Sequence, residues 1–576
     1  MVKSFPPLYD RRMPQELSLT GKKWVIRNVL SDPENIVSSL FASREIDPLR
    51  DGELIDPLVF NGMQRAVARI RHAIEKGETV GIFGDYDCDG ITSALQLVRF
   101  FGRRGIDPLV RLPNRIHDGY GLKEKILFEF IEKGTSLLIT VDTGINAVNE
   151  IIEAKSRGMD VIITDHHHPV GRIPGAFAVV HPAFCDYPLP HPSGAGVAYH
   201  LLRALEDGDW EGSNIDAALA MIGTIADVVE LKGQNRTLVQ IGLSAINKIG
   251  DGPLAELIAL CRLNKAVTST DIAFRIAPRI NAAGRMADPL IALQALMKGG
   301  VFIEYLNELN RLRQEQTDKY LDVAINQIGD CADSPLIAAA REDFPQGIVG
   351  LIAGKLTERF GKPSMVGRLH GGICTASLRS TSAYHITEGL QKCSGLLQYF
   401  GGHAQAAGCS FKAELFSSVV ERLREDISEN VEMDDLVPTM EIDAELTPDS
   451  ITPDLISNIN KLEPFGKGNP EPLFIIRNIK FENARIVGKG GNHLQGTIAG
   501  VKSVGFGLGF AIEHARPPID AVCRLGLDEW NGYMRPQIFI EDLRKAESGK
   551  WKVENINKRK VESGKQRKLR TNFEPL

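Results

Sequence analysis

Thr79-Val80-Gly81-Ile82-Phe83-Gly84-Asp85-Tyr86-Asp87-Cys88-Asp89-Gly90 decides the fold. Residues 79–83 form a short β-rich run, the Asp/Gly stretch after them breaks it, and residues 91–101 have helical length. Strand, turn and helix in that order open a βαβ unit. The pattern recurs at 137–141 with a helical stretch at 147–155, then at 161–164 and 178–180. Apolar runs of this length are compatible with buried helix when taken singly. Their alternation with helix-length segments argues for a parallel sheet covered on both faces.

Chemistry gathers at the ends of these runs. Asp85, Asp87 and Asp89 lie within five residues and repel one another, and an extended turn sets them on one side. Such a turn needs solvent or cations to neutralise it. An EF-hand is excluded, because Gln96 stands where its last ligand would be. Asp142 follows the second strand and Asp165-His166-His167-His168 the third. Ligands collect at the carboxyl ends of strands in open parallel sheets, so these groups are candidates for one site. Asp227 is a carboxylate inside the apolar segment Gly223-Thr224-Ile225-Ala226-Asp227-Val228-Val229. Taken alone it also admits a helix-capping or salt-bridged reading.

The 576 residues exceed one core and suggest three to four domains by the usual prior of roughly 150 residues each. Hydrophobic content of 43% and charged content of 24% are globular values. With 67 Lys+Arg against 73 Asp+Glu, the net charge of −6 excludes a globally basic coat, so any nucleic acid must meet a local basic surface. Eight scattered cysteines without a C-x-x-C pair fit thiols in a reducing cytosol. No run approaches the length of a membrane span and the first residues lack an apolar signal core, so a cytoplasmic protein without membrane contact is expected.

Residues 303–329 read as a connecting helix. A second α/β alternation occupies 335–408, with a helix at 348–358 and a strand at 364–366. An acidic boundary at 432–438 precedes short β-rich runs over 439–543, which suggest a small barrel or sandwich. Residues 545–570 carry ten basic side chains against three acidic ones, either a solvated end or a phosphate-binding arm.

The sequence resembles the DHH phosphoesterases in four ordered motifs: Asp87-x-Asp89, Val141-Asp142-Thr143-Gly144-Ile145, Thr164-Asp165-His166-His167, and 223–229. Further matches narrow the resemblance to RecJ-type exonucleases. They are Pro113-Asn114-Arg115 with 119–122, the run 277–285 (APRINAAGR), Ser377-Leu378-Arg379-Ser380, 401–408 (GGHAQAAG), 464–470 (PFGKGNP) and His493-Leu494. The resemblance implies an α/β fold: a DHH-type parallel-sheet domain, a long connecting helix, a smaller α/β DHH-associated domain and a C-terminal OB-fold-like β-barrel. The expected divisions are 1–45 (N-terminal extension), 46–300, 301–332, 333–430, 436–545 and 546–576 (basic flexible tail).

The activity it implies is 5′-to-3′ hydrolysis of single-stranded DNA to 5′-mononucleotides by two Mn²⁺ or Mg²⁺ ions per active site, in repair and recombination. Asp87 and Asp89 would serve one metal each, Asp142 would bridge them, and His166 and Asp227 would complete the second. Asp85 would lie at or just outside the ligand set, Asp165 would orient a histidine, and His167 would face the scissile phosphate. Candidate phosphate and DNA contacts are Arg115, Arg279, Asn281, Ser377, Arg379, Ser380, Gly401, Gly402 and His403. Phe465, Phe474, Phe506, Trp530 and Tyr533 are stacking candidates in the barrel. Single-strand-binding protein and a helicase are the implied partners, and a monomer the implied state.

Two departures stand out. Phe344-Pro345-Gln346-Gly347 occupies the place of a Trp-His-x-Gly motif, and Ser193-Gly194-Ala195-Gly196 that of Ala-Gly-Val-Gly. The rival readings are a DHH phosphodiesterase acting on short RNA, cyclic dinucleotides or pyrophosphate, and a degenerate member that only binds strands. The second requires lost ligands, and none is lost.

Overall fold

The register of one parallel sheet positions the chemistry. The structure, a computed structural model, describes residues 17–27, 33–46, 52–115, 117–206, 210, 212–263, 265–329, 334–488, 490–514, 518–530 and 533–546. The chain forms two units, one of Ile46–Leu436 with Leu462–Pro470, the other of Met1–Glu45, Val437–Lys461 and Glu471–Leu576.

In the first unit, five parallel strands lie in the order Leu109–Arg111, Val80–Gly84, Leu137–Val141, Asp160–Thr164, Ala178–Val180. The strands Val80–Gly84 and Leu137–Val141 are buried along their whole length, as continuous apolar runs require. Alternate residues feed different cores: Ile82, Leu137, Ile139, Val141 and Ile162 face one, Phe83, Leu138, Val161 and Ile163 the other. The short edge strand Leu109–Arg111 has no counterpart among the runs read from the sequence, because three residues carry no period. Helix Val301–Ile328 leads to a second sheet ordered Tyr399–His403, Ala406–Lys412, Ile373–Arg379, Ser364–His370, Ile337–Arg341, against which helix Val349–Phe360 packs.

In the second unit, seven strands form a mixed sheet ordered Ala444–Glu445, Phe474–Ile479, Ile519–Trp530, Tyr533–Lys545, Val501–Gly505, His493–Ile498, Phe481–Val487. The expected barrel does not close among the described residues. One edge strand has only two residues, and the other is exposed over most of its length. The N-terminal strand Lys23–Ile26 pairs in parallel with Thr439–Ile442, and Trp24 shares a core with Met440, Ile442, Ile475 and Val522. The expected tail lies outside the described residues from 547 onward.

Candidate metal centre

Gly84, Val141 and Thr164 are paired across three neighbouring strands. The next residues, Asp85, Asp142 and Asp165, therefore leave the sheet at one level, and all three are buried. Asp87 caps helix Cys88–Gly102, accepting from the Gly90 amide at 3.1 Å, which puts Asp89 in its first turn. Asp89 accepts from the Gly194 and Ala195 amides at 2.7 and 2.9 Å, in the first turn of helix Gly194–Leu205. The positive end of that helix suits a carboxylate. A side chain at position 194 would lie 2.4 Å from Asp142 Oδ1, so only glycine allows the approach. Asp227 sits at the opposite kind of end, the C-cap of helix Ser213–Ala226, where the dipole disfavours it. Asp142 and Val228 both have φ of 58°, a left-handed conformation costing about 1–3 kcal/mol each outside glycine. The fold holds strain where the carboxylates meet.

His166 Nε2 lies 3.2 Å from Asp142 Oδ1, 3.7 Å from Asp227 Oδ2 and 3.9 Å from Asp89 Oδ2. His166 Nε2, Asp142 Oδ1 and Asp85 Oδ1 are buried without any hydrogen-bond partner among the described residues. Unpaired buried polar atoms cost about 1–3 kcal/mol each, so three that converge call for a further group between them. Three overlapping sets have ligand atoms mutually within 4.8 Å: Asp85, Asp87 and Asp142; Asp89, His166 and Asp227; Asp142, His166 and His167. Carboxylate oxygens with an imidazole fit Mn²⁺ or Mg²⁺, and the residues present suit divalent cations.

Without cations the carboxylates resist ionisation. Burial, then the charge of Asp87, pushes Asp85 up to about 8 and Asp89 to about 6. Burial and neighbouring carboxylates, Asp89 foremost, hold Asp142 and Asp227 well above the usual range. Burial, with His167 beside it, pushes His166 down to about 3, leaving a neutral ring able to donate a lone pair. Burial disfavours charge on His167 too, but the Asp165 hydrogen bond overrides it and lifts the ring to about 9. Asp165 Oδ1 lies 2.8 Å from His167 Nδ1 and accepts from the His166 amide, so this carboxylate aims His167. His181 Nδ1 accepts from the Ala183 amide, leaving Nε2–H to donate to the His167 carbonyl at 2.9 Å.

A cationic cluster lies in the same unit. The Arg115 guanidinium sits 4.0 Å over the Tyr86 ring. Arg285 is pushed down to about 9 by burial and then by Arg115, Arg313 and Arg379. Burial, with Arg115 beside it, lowers Arg379 as well, and buried arginines gathered in this way favour an anion among them. Gly350, in the first turn of helix Val349–Phe360, abuts Arg379 Nη2 and Ser377 Oγ, so a helix N-terminus joins the group. Arg285 is not among the sequence candidates, although it closes the 277–285 run. An arginine ending an Ala/Gly stretch was the available signal.

Other candidates are engaged within the fold. Arg279 donates to Asn307 Oδ1 and the Arg275 carbonyl. Asn281 Oδ1 accepts from the Cys88 amide at 2.9 Å and braces the acidic turn. Ser380 Oγ donates to the Tyr384 carbonyl. Gly401 and Gly402 lie in a hairpin strand, and a Cβ at 402 would meet Ala406 O at 2.4 Å, so the neighbouring strand demands that glycine. His403, at the strand's end, is largely open to solvent, and the partial burial of its ring, then His167 and His168, lower its affinity for a proton. Phe474 is core, whereas Phe506 is 63% exposed and stacks on Phe539. The side chains of Trp530 and Tyr533 lie outside the described residues. Phe344 is buried in the core under Tyr320, so this part of the Phe344-Pro345-Gln346-Gly347 departure keeps a packing role.

The sheet-edge cluster and the strand order define a DHH-type phosphoesterase. The N-terminal domain of the DHH family matches residues 79–226, the DHHA1 domain 333–431 and the RecJ OB domain 442–542. The chain belongs to the RecJ family: it is 36% identical to the single-stranded-DNA-specific exonuclease RecJ of Bacillus subtilis over 541 residues, 89% of this chain and 68% of that one. It is 33% identical to Thermus thermophilus RecJ, covering 87% and 74%. A crystal structure of RecJ from Thermus thermophilus with Mn²⁺ superposes with a TM-score of 0.79 at 29% identity, over 93% of this chain and 81% of that one. The corresponding Mg²⁺ complex gives 0.72 at 28% identity, covering 91% and 79%.

Proposed function

We propose that this chain is a metal-dependent exonuclease that removes 5′-mononucleotides from the 5′ end of single-stranded DNA. The observation that carries the reading is the convergence of unpartnered Asp85, Asp142 and His166 atoms with Asp87, Asp89 and Asp227 around them. Asp85, Asp87 and Asp142 would hold one cation, Asp89, His166 and Asp227 the other, with Asp142 between them. When bound, such cations neutralise the carboxylates, lower the pKa of water and offset charge on the reacting phosphate. Asp165 holds His167 Nδ1, and the second ring nitrogen would serve a phosphate oxygen. Arg115, Arg285, Arg379 and Ser377 would receive the 5′-terminal phosphate and so fix polarity. Arg279, Asn281, Ser380, Gly401, Gly402 and His403 would add further contacts to the strand.

The domain divisions given above fit this reading, with residues 1–45 grouped with the C-terminal region. Single-strand-binding protein and a helicase remain our proposed partners, a monomer the proposed state, and the cytoplasm the proposed location. No helix among the described residues is long and apolar enough to cross a membrane. The test is digestion of a 5′-labelled single strand beside its duplex and a short RNA, with Mn²⁺ and with chelator. Mn²⁺-dependent release of labelled mononucleotide from the single strand is expected; preferential cleavage of the RNA would favour the phosphodiesterase reading.

A further inference from the structure

The motif Pro464-Phe465-Gly466-Lys467-Gly468-Asn469-Pro470 has no part in the chemistry described so far. It lies inside the span matched by the RecJ OB domain, yet Leu462–Pro470 belongs to the unit that carries the metal centre. The loop is pinned from several sides. The Leu231 amide donates to the Lys467 carbonyl at 2.8 Å, four residues beyond Asp227. Ser269 Oγ donates to the Phe465 carbonyl, and Arg236 to the carbonyls of Leu462 and Glu463. Asn469, 1% exposed, donates to the carbonyls of Leu462 and Pro464, while Gly466 and Asn469 bond each other through their backbones. Gly468, with φ of 77°, closes the turn against Glu230. This much anchoring leaves one exposed charged side chain at the tip, Lys467. Bonded to Leu231 and packed through Gly468 on Glu230, the tip lies beside the segment that begins at Asp227.

A cation beside a pocket that must gather divalent metals opposes their binding, unless an anionic substrate arrives with them. We propose that Lys467 is a substrate-binding residue, which the pinned loop presents at the rim of the metal centre beside the Asp227–Leu231 segment to hold a backbone phosphate of the strand. The proposal rests on the nuclease reading above and gives the motif its role: the glycines and Asn469 shape the turn, and Lys467 makes the contact.

The experiment compares wild type, Lys467→Ala, Lys467→Arg and, as control, Lys461→Ala on a single-stranded oligonucleotide in Mn²⁺ across a salt series. Loss of one phosphate contact from a single strand flattens the slope of log KM against log salt by about 0.7. Lys467→Ala is expected to show that flattening, with KM up about 5–20-fold at low salt and kcat within about threefold. Lys467→Arg should restore the slope, and Lys461→Ala should leave it unchanged. An unchanged slope in Lys467→Ala would overturn the proposal, whether activity is intact or only the Mn²⁺ requirement has moved. If wild type itself fails to digest the strand, the nuclease reading fails instead. Because Lys467 is exposed, its substitution tests binding without unfolding the loop.

Discussion

Two groups of buried carboxylates in this chain meet opposite fates. In the second unit, Asp542 is wholly buried and accepts from Trp24 Nε1, Thr20 Oγ1 and the Leu543 amide at 2.8–3.0 Å. Asp520 there accepts from the Asn478 amide and faces Arg477 and Arg544. In the first unit, Asp85 and Asp142 are as deeply buried, yet each leaves an oxygen unpartnered and faces other carboxylates. A satisfied buried charge serves stability; an unsatisfied cluster reserves its lone pairs for something absent from the polypeptide. The difference separates scaffold from site without reference to any motif.

Substitution tests the contrast most severely. Asp142→Ala should reduce nuclease turnover by about 10³-fold or more and leave the metal-free fold at least as stable as wild type, because a buried, unpartnered carboxyl group has gone. Asp542→Ala should do the reverse, costing about 2–4 kcal/mol by stranding the indole and hydroxyl donors. Thermal melts with chelator, run beside turnover assays, decide between them. Equal destabilisation by both would erase the distinction.

The 5′-end cluster predicts the next largest effect. Arg115→Ala or Arg379→Ala should lower the preference for 5′-phosphorylated over 5′-hydroxyl ends by about 10–100-fold, the value of a charge-assisted contact. Equal loss on both ends, measured by competition, would count against a 5′-phosphate role.

The pH response of stability sharpens the comparison further. Asp85 and Asp89 titrate in the fold at about 8 and about 6, above their ordinary range near 4. Groups raised in this way favour the folded state below their unfolded pKa and lose that contribution as pH rises through the folded value. Metal-free protein should therefore melt at falling temperatures from about pH 4 toward pH 8. Mn²⁺ should remove most of that slope, giving its largest stabilisation at the alkaline end. Asp165 runs the other way: His167 holds it near 2, despite burial that would raise it, and its contribution should fade only in strong acid. Melts across pH with and without Mn²⁺ check both signs.

The smallest effect should come from His181→Ala, which removes one hydrogen bond to the His167 carbonyl. Turnover is expected to fall about 2–10-fold, with Mn²⁺ affinity nearly unchanged. A loss as large as that at Asp142 would place His181 in the site itself.

Much of the site was legible because its geometry is local. An apolar strand followed at once by Asp places that carboxylate at the sheet edge, and equal registers level Asp85, Asp142 and Asp165. Side-chain direction was not legible. Arg279, Asn281 and Ser380 stand in motif positions, and their bonds to Asn307, the Cys88 amide and the Tyr384 carbonyl emerge only in the fold. Arg285 ends the Ala/Gly run 277–285, but its lowered proton affinity comes from burial and from Arg115, Arg313 and Arg379, which are distant in the chain. Strand pairing between Lys23–Ile26 and Thr439–Ile442, and a sheet that stops short of closing among the described residues, likewise depend on partners far away in the chain.

Anomalous diffraction at the manganese edge, from crystals soaked in Mn²⁺, addresses the reserved lone pairs most directly. Two peaks are predicted, one among Asp85, Asp87 and Asp142 and the other among Asp89, His166 and Asp227, with both weakened in Asp142→Asn crystals. Peaks elsewhere, or none at this edge of the sheet, would contradict the account.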